Sequence, residues 1–283
     1  AWLLVRTALV NGDHLEQALA GKALPDTLIT KIVGQTWRCM SKADSALFRQ
    51  MVLGKTNIGV SHLFRRLFNS SNKIVDVVTT NYDRVIEYAC ASVGTNYFTG
   101  FVPAYFATRE PKDDVALFRD GRRERTVRIW KVHGSLDWFD GPNAEAFCAP
   151  LMDEIPDELT PLIVTPGVSK YQRALDEPFR SALQGADSAL SEATGYLCFG
   201  FGFRDLHIEP KILNRCRKVG APIVVAARTL TDDARNFLQK KIGKEFLALE
   251  ADGANTRART ADNWDGTVID GDRWSIEGFL NLV

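Results

Sequence analysis

Five short runs of branched and aromatic residues recur along this chain: KIVDVV at 73–78, VRIWKV at 127–132, PLIVTP at 161–166, GYLCFG at 195–200 and APIVVAA at 221–227. Each has the length of a strand, and segments of helical period lie between most of them. Runs that are apolar throughout suit a parallel sheet buried on both faces, whereas alternating runs suit a sheet with one wet face. Strands alternating with helices predict an α/β fold with a mostly parallel sheet flanked by helices. In such sheets ligands sit beyond the carboxyl ends of the strands, so the residues that follow each run are the ones to inspect.

The first seventy residues read as helical. Their clearest segment is VSHLFRRLFNSS, where Val60, Leu63, Phe64, Leu67 and Phe68 share one face. Residues 1–72 are therefore read as a helical segment packed on, or inserted in, an α/β domain spanning 73–283. A helix is expected directly after the first run, with Val85, Ile86, Ala89 and Val93 on one side. Another starts at Thr231 as cap, with Asp232 and Asp233 in its first turn, and stops at Gly243. Two stretches, Thr99 to Thr126 with its RDGRRER and Asp252 to Asp272, read as long irregular loops. The chain opens at Ala1 inside the apolar run AWLLV without a methionine, which suggests a segment upstream.

Composition removes several classes of function. Lys plus Arg equal Asp plus Glu at 35 each, so no net field draws the chain to nucleic acid or to an anionic membrane. No run approaches the roughly 20 apolar residues of a bilayer span, and no secretion signal is visible, so a cytoplasmic protein is expected. The five cysteines, Cys39, Cys90, Cys148, Cys198 and Cys216, are scattered and contain no C-x-x-C pair. They read as reduced thiols rather than as zinc ligands or a disulfide framework, and no metal is expected.

Three of the strand ends carry polar or glycine-rich turns. After the first run comes TTNYD, with Thr79, Thr80, Asn81 and Asp83; after the second comes HGSLD, with His133, Gly134, Ser135 and Asp137 exposed at the sheet edge; after the fourth comes GFGFRD, Gly200 to Asp205. The last resembles the dinucleotide fingerprint G-x-G-x-x-G with Asp205 in place of the final glycine, a weak signal by itself. Its glycines let backbone approach a phosphate, and Asp205 either accepts from ribose hydroxyls or caps the helix that begins near Ile208. An imidazole at a strand end is the side chain that titrates near neutral pH, so His133 is a candidate mild base. Asn81 offers a donor and an acceptor that hold a water or a sugar hydroxyl without exchanging a proton. Positioning plus one mild base suits cleavage of a bond whose leaving group is already cationic.

Taken together and in order, TTNYDRVIE, KVHGSLDW and CFGFGFRDLHI resemble the sirtuin-like domains of bacterial anti-phage defence proteins, over about Val75 to Ala227. The resemblance implies a Rossmann-like fold with a helical insertion that binds NAD+ and, in the defence branch, hydrolyses it to ADP-ribose and nicotinamide. It implies that Asn81 orders the attacking water and the nicotinamide ribose and that His133 polarises a ribose hydroxyl. Thr79, Thr80, Asp83, Gly134, Ser135, Gly200, Gly202, Phe203 and Asp205 are then expected to line the NAD+ site. Two features depart from the family. The C-x-x-C pairs of the zinc-bearing deacylases are missing, which disfavours deacylation of acyl-lysine peptides, and the family's first strand with its GAG loop is not in this sequence, so that either it lies upstream of Ala1 or the site is degenerate. A sensor of NAD+ or ADP-ribose without turnover is the alternative. The resemblance also implies restraint by self-assembly or by a partner such as a HerA-like ATPase or a short Argonaute-like protein.

Overall fold

The structure is a computed structural model, and it describes residues 2–12, 18–19, 24–101, 104–109, 117–141, 145–150, 152, 154–164 and 176–282. The chain divides into two compact units, Ala1–Ile58 with Phe68–Gly185 and Gly59–Leu67 with Ala186–Val283. The described residues include, in order, the helices α1 (Trp2–Val10), α2 (Asp26–Val52) and α3 (Gly59–Leu67), the last belonging to the second unit.

In the first unit, the branched run at 74–79 forms β1 (Ile74–Thr79), followed by α4 (Val85–Ser92) and β2 (Asn96–Phe98). The second run forms β6 (Thr126–Lys131), which lies between β1 and β2 and is parallel to both. Ile74 faces Thr126 and Thr79 faces Lys131, so the two strands end level with one another.

The chain then departs from the parallel pattern. Gly134–Asp140 is a seven-residue strand, β7, in an antiparallel sheet of order β3-β8-β7-β9 with β3 (Ala107–Thr108), β8 (Ala146–Cys148) and β9 (Thr160–Ile163). The run at 161–166 is thus a strand as expected, but it pairs antiparallel with β7; residues 165 and 166 lie outside the described residues. HGSLD is correspondingly no exposed turn, since Gly134 and Ser135 are buried in β7 and only His133 and Asp137 are partly open. The reason is packing. Val33 and Trp37, one turn apart on α2, press on Leu136, Phe139 and Ile163, and the Trp37 indole N–H donates to the Leu136 carbonyl at 2.8 Å. Burying such side chains stabilises by about 1.5–3 kcal/mol each, enough to hold a strand whose first residues look polar.

Helix α5 (Phe179–Glu192), which belongs to the second unit from Ala186 onward, leads there to β10 (Tyr196–Phe199), α6 (Glu209–Val219), β11 (Ile223–Ala227) and β12 (Phe246–Asp252). Strands β10, β11 and β12 are parallel, and β13 (Asn255–Arg259) and β14 (Thr267–Ile269) extend the sheet antiparallel. The protein is therefore a mixed α/β structure with parallel sheets flanked by helices. Thr231 caps α7 (Asp232–Asn236) by accepting from the Ala234 N–H, and the helix runs on as a π-helical turn, Phe237–Ile242, closed by left-handed Gly243.

Both stretches read as irregular contain strands. Asp120 and Gly121, each with positive φ, turn the hairpin of β4 (Phe118–Arg119) and β5 (Arg122–Arg123), and Gly253 opens the two-residue turn that pairs Asp252 with Asn255. Asp-Gly and Gly-X are the favoured two-residue hairpin turns, so this signal was present in RDGRRER and ADGAN. On α3, Leu63 and Phe64 are buried as the periodicity predicts, whereas Leu67 is exposed.

Candidate active site

The turn after β1 is tied down at backbone level on almost every residue. Thr79 Oγ1 accepts from the Asn81 N–H at 3.1 Å, and Asp83 Oδ1 accepts from the Val85 N–H at 3.1 Å, so the polar knot is two consecutive side-chain-closed turns feeding α4. Its carbonyls face the β6–β7 segment: Thr79 O accepts from Val132 N–H at 3.2 Å, Tyr82 O from Leu136 N–H at 3.0 Å, and Asp83 O from the Lys131 ammonium. Val164 clamps both strand ends, since its carbonyl accepts from the Tyr82 hydroxyl at 2.6 Å while its N–H donates to the His133 carbonyl at 2.9 Å.

Against that fixed backbone the Asn81 side chain is exposed and His133 is partly open. Thr79 and Lys131 are register partners, and Asn81 and His133 each follow two residues later. Neighbouring strands lie about 4.8 Å apart, so the two candidate groups leave adjacent strand ends at the same level. The structure thus brings together, in one unit, Thr79, Thr80, Asn81, Asp83, His133, Gly134 and Ser135.

Not all of these are open to a ligand. Ser135 is fully buried, with its hydroxyl donated to Asp137 Oδ1 at 2.5 Å, and the Cys148 thiol donates to Asp137 Oδ2 at 3.4 Å. Burial first, and then the Asp137 charge, push that thiol well above its ordinary range. Gly134 has φ +87°, and a Cβ there would meet the Leu162 carbonyl oxygen at 2.0 Å; glycine is required for the chain to turn from β6 into β7 against β9.

Two buried charge networks that the sequence did not single out support the turn. Asp44 of α2 accepts from the Arg84 N–H at 2.8 Å, from the Arg84 guanidinium at 2.9 and 3.1 Å, and from the Tyr88 hydroxyl at 2.5 Å. Burial, reinforced by that hydrogen bond to Asp44, pushes the Tyr88 phenol well up. Lys131, also fully buried, donates to Glu87 Oε1 at 2.8 Å. Burial raises the Glu87 carboxyl, and the Lys131 charge opposes the rise. The available signal was slight, Lys131 in VRIWKV beside a second cation, Arg128, and Glu87 in VIEYACA.

The second unit holds the glycine-rich turn after β10. Gly200 has φ +62° with open space where a Cβ would stand, and its N–H donates to Ala226 O at 2.9 Å. Thr231 Oγ1 donates to the Gly202 carbonyl at 2.9 Å as well as capping α7. Phe203, at φ +56°, is buried and stacks on Phe237 with centroids 4.2 Å apart. One Asp205 carboxylate oxygen accepts from the His207 and Ile208 N–H groups at 2.9 and 3.1 Å, so capping, one of the two roles read for it, is present.

A family model described as SIR2-like domain matches residues 75–244. The chain belongs to the SIR2-like family. A solved structure described as "The Structural basis of Sirtuin Substrate Affinity" is similar at 14% identity over 68% of this chain and 68% of that one, with a TM-score of 0.37. No curated protein matches the chain. SIR2-like domains bind NAD+, and the matched span of this SIR2-like chain contains every candidate residue named above. Among the described residues of this SIR2-like domain, no group of three or more His, Cys, Asp or Glu is placed to hold a metal ion, and no helix is long and apolar enough to cross a membrane.

Proposed function

We propose that this SIR2-like chain is an NAD+ hydrolase that cleaves the nicotinamide–ribose bond to give ADP-ribose and nicotinamide, and that it serves anti-phage defence by depleting NAD+. The observation that carries this reading is the pairing at the ends of β1 and β6: an exposed amide and a partly open imidazole, level with one another, on backbone whose own hydrogen bonds are already made. That arrangement fits a substrate needing a held water and a ribose hydroxyl contact.

In the proposed reaction the C1′–N bond breaks with its electron pair going to the nicotinamide ring, which leaves neutral. The water oriented by Asn81 then attacks C1′, and its proton passes to solvent. His133 accepts from a ribose hydroxyl and steadies the positive charge that develops on the sugar. Net, one NAD+ and one water give ADP-ribose, nicotinamide and a proton. Because such an activity depletes a cell's own NAD+, the proposal includes restraint by self-assembly or by a regulatory partner, of the HerA-like ATPase or short Argonaute-like kind, and a cytoplasmic location.

The test is chromatographic detection of nicotinamide and ADP-ribose after incubating the protein, alone and with genomic-neighbour partners, with NAD+. Asn81→Ala and His133→Ala are each expected to lower the rate by about 100-fold or more. Binding of NAD+ or ADP-ribose with no release of nicotinamide under any condition would replace the hydrolase with a sensor. Release that depends on an acyl-lysine peptide would make it a deacylase.

A further inference from the structure

Lys131 and Glu87 form an ion pair that solvent does not reach: Lys131 is 0% exposed and the Glu87 side chain 7%, at 2.8 Å. A buried ion pair is a poor way to gain stability, because two well-packed apolar side chains of similar volume usually do as well or better. Among the described residues Glu87 Oε2 moreover has no hydrogen-bond partner, so the site is not optimised as a pair. The second contact of Lys131 is what an apolar replacement would lose. The ammonium also donates to the carbonyl of Asp83, two residues beyond Asn81.

We infer that Lys131, held by Glu87, is a positioning residue that fixes the turn bearing Asn81 against the strand bearing His133. Its backbone stands on β6 opposite Thr79 and two residues before His133, while its side chain reaches across to the turn after β1. One side chain therefore spans the two elements whose relative placement sets the separation of the candidate groups. Glu87, in the first turn of α4, anchors the far end of the same turn. The inference rests on the proposed roles of Asn81 and His133 for its catalytic consequence, but its structural consequence stands apart from them.

The experiment uses the full chain with Lys131→Met and Glu87→Leu combined, which keeps the space filled and leaves no charge unpaired. Hydrogen exchange of the Asn81, Arg84 and Val85 amides, bonded to Thr79, Asp44 and Asp83 respectively, reports the turn directly. The expected result is exchange at these amides raised by about 10-fold, with β1 and β6 still protected. NAD+ hydrolysis is expected to fall by about 100-fold in kcat with KM within roughly 3-fold, the signature of misplaced groups rather than lost binding. Wild-type exchange and wild-type kcat in the double variant would overturn the positioning role while leaving the hydrolase intact. Raised exchange beside a wild-type protein that never releases nicotinamide would uphold the positioning and overturn the hydrolase. If the double variant does not fold, Glu87→Gln loosens Lys131 without emptying the site. Exchange at 81–85 must then rise by about 3-fold or more, and unchanged exchange overturns the inference.

Discussion

At the level of single residues, Asp44 shows how much of the site depends on a side chain that never meets a ligand. Its carboxylate is almost wholly buried and gathers the Arg84 N–H, the Arg84 guanidinium and the Tyr88 hydroxyl. Asp44→Ala would leave a partly buried guanidinium and a phenol without their acceptor, and removing one partner of a buried pair costs about 3–5 kcal/mol. Urea unfolding should read that loss, whereas Asp76→Ala, which breaks the more exposed pair with Arg128, should cost about 1 kcal/mol beyond the lost indole contact of Trp130. Asn81 and His133 were visible in the sequence because polar residues directly after apolar runs stand out. Asp44, Glu87 and Lys131 were not, since a charged residue in a helical or strand pattern reads as a solvated one until its surroundings are known.

Among the elements, the apolar runs were legible as strands, the antiparallel β9 included, while β2, β7 and β12 were not. KIVDVV, VRIWKV, GYLCFG and APIVVAA carry their strand preference in their composition, and each became a strand of a parallel pairing, although β1 and β10 are only partly buried. β7 hides because HGSLDWF begins with small and polar residues whose burial comes from α2 and β9 rather than from local preference. The short hairpins were overlooked for a different reason: Asp120-Gly121 and Gly253-Ala254 are turn signals flanked by charged residues instead of apolar alternation. The junction of β6 and β7 gives the prediction at this scale. Gly134→Ala places a methyl 2.0 Å from the Leu162 oxygen at φ +87°. It should destabilise by about 2 kcal/mol or more and slow NAD+ hydrolysis through displacement of His133, both measurable on the purified variant.

For the molecule as a whole, composition excluded more than it identified. Balanced charge and scattered thiols narrow the field, but the family was readable only from three motifs in order, because the first and third alone have a capping or turn explanation that the structure also shows, at Asp83 and Asp205. A nucleotide that binds the native state alone must raise its stability by mass action. ADP-ribose at about 100-fold above its Kd should add roughly 2.7 kcal/mol, seen as a raised Tm, and an unchanged Tm over a wide range of ADP-ribose would argue against nucleotide binding. The pairing of Thr79 with Lys131 has a reach of its own. Because Asn81 and His133 are both measured out from that rung, the backbone ladder acts as the gauge that calibrates the site. A slip of one rung would turn the strand's side chains to the opposite face. Substitutions anywhere along Ile74–Thr79 that relax the alignment would then pass for catalytic lesions, although they touch neither candidate group.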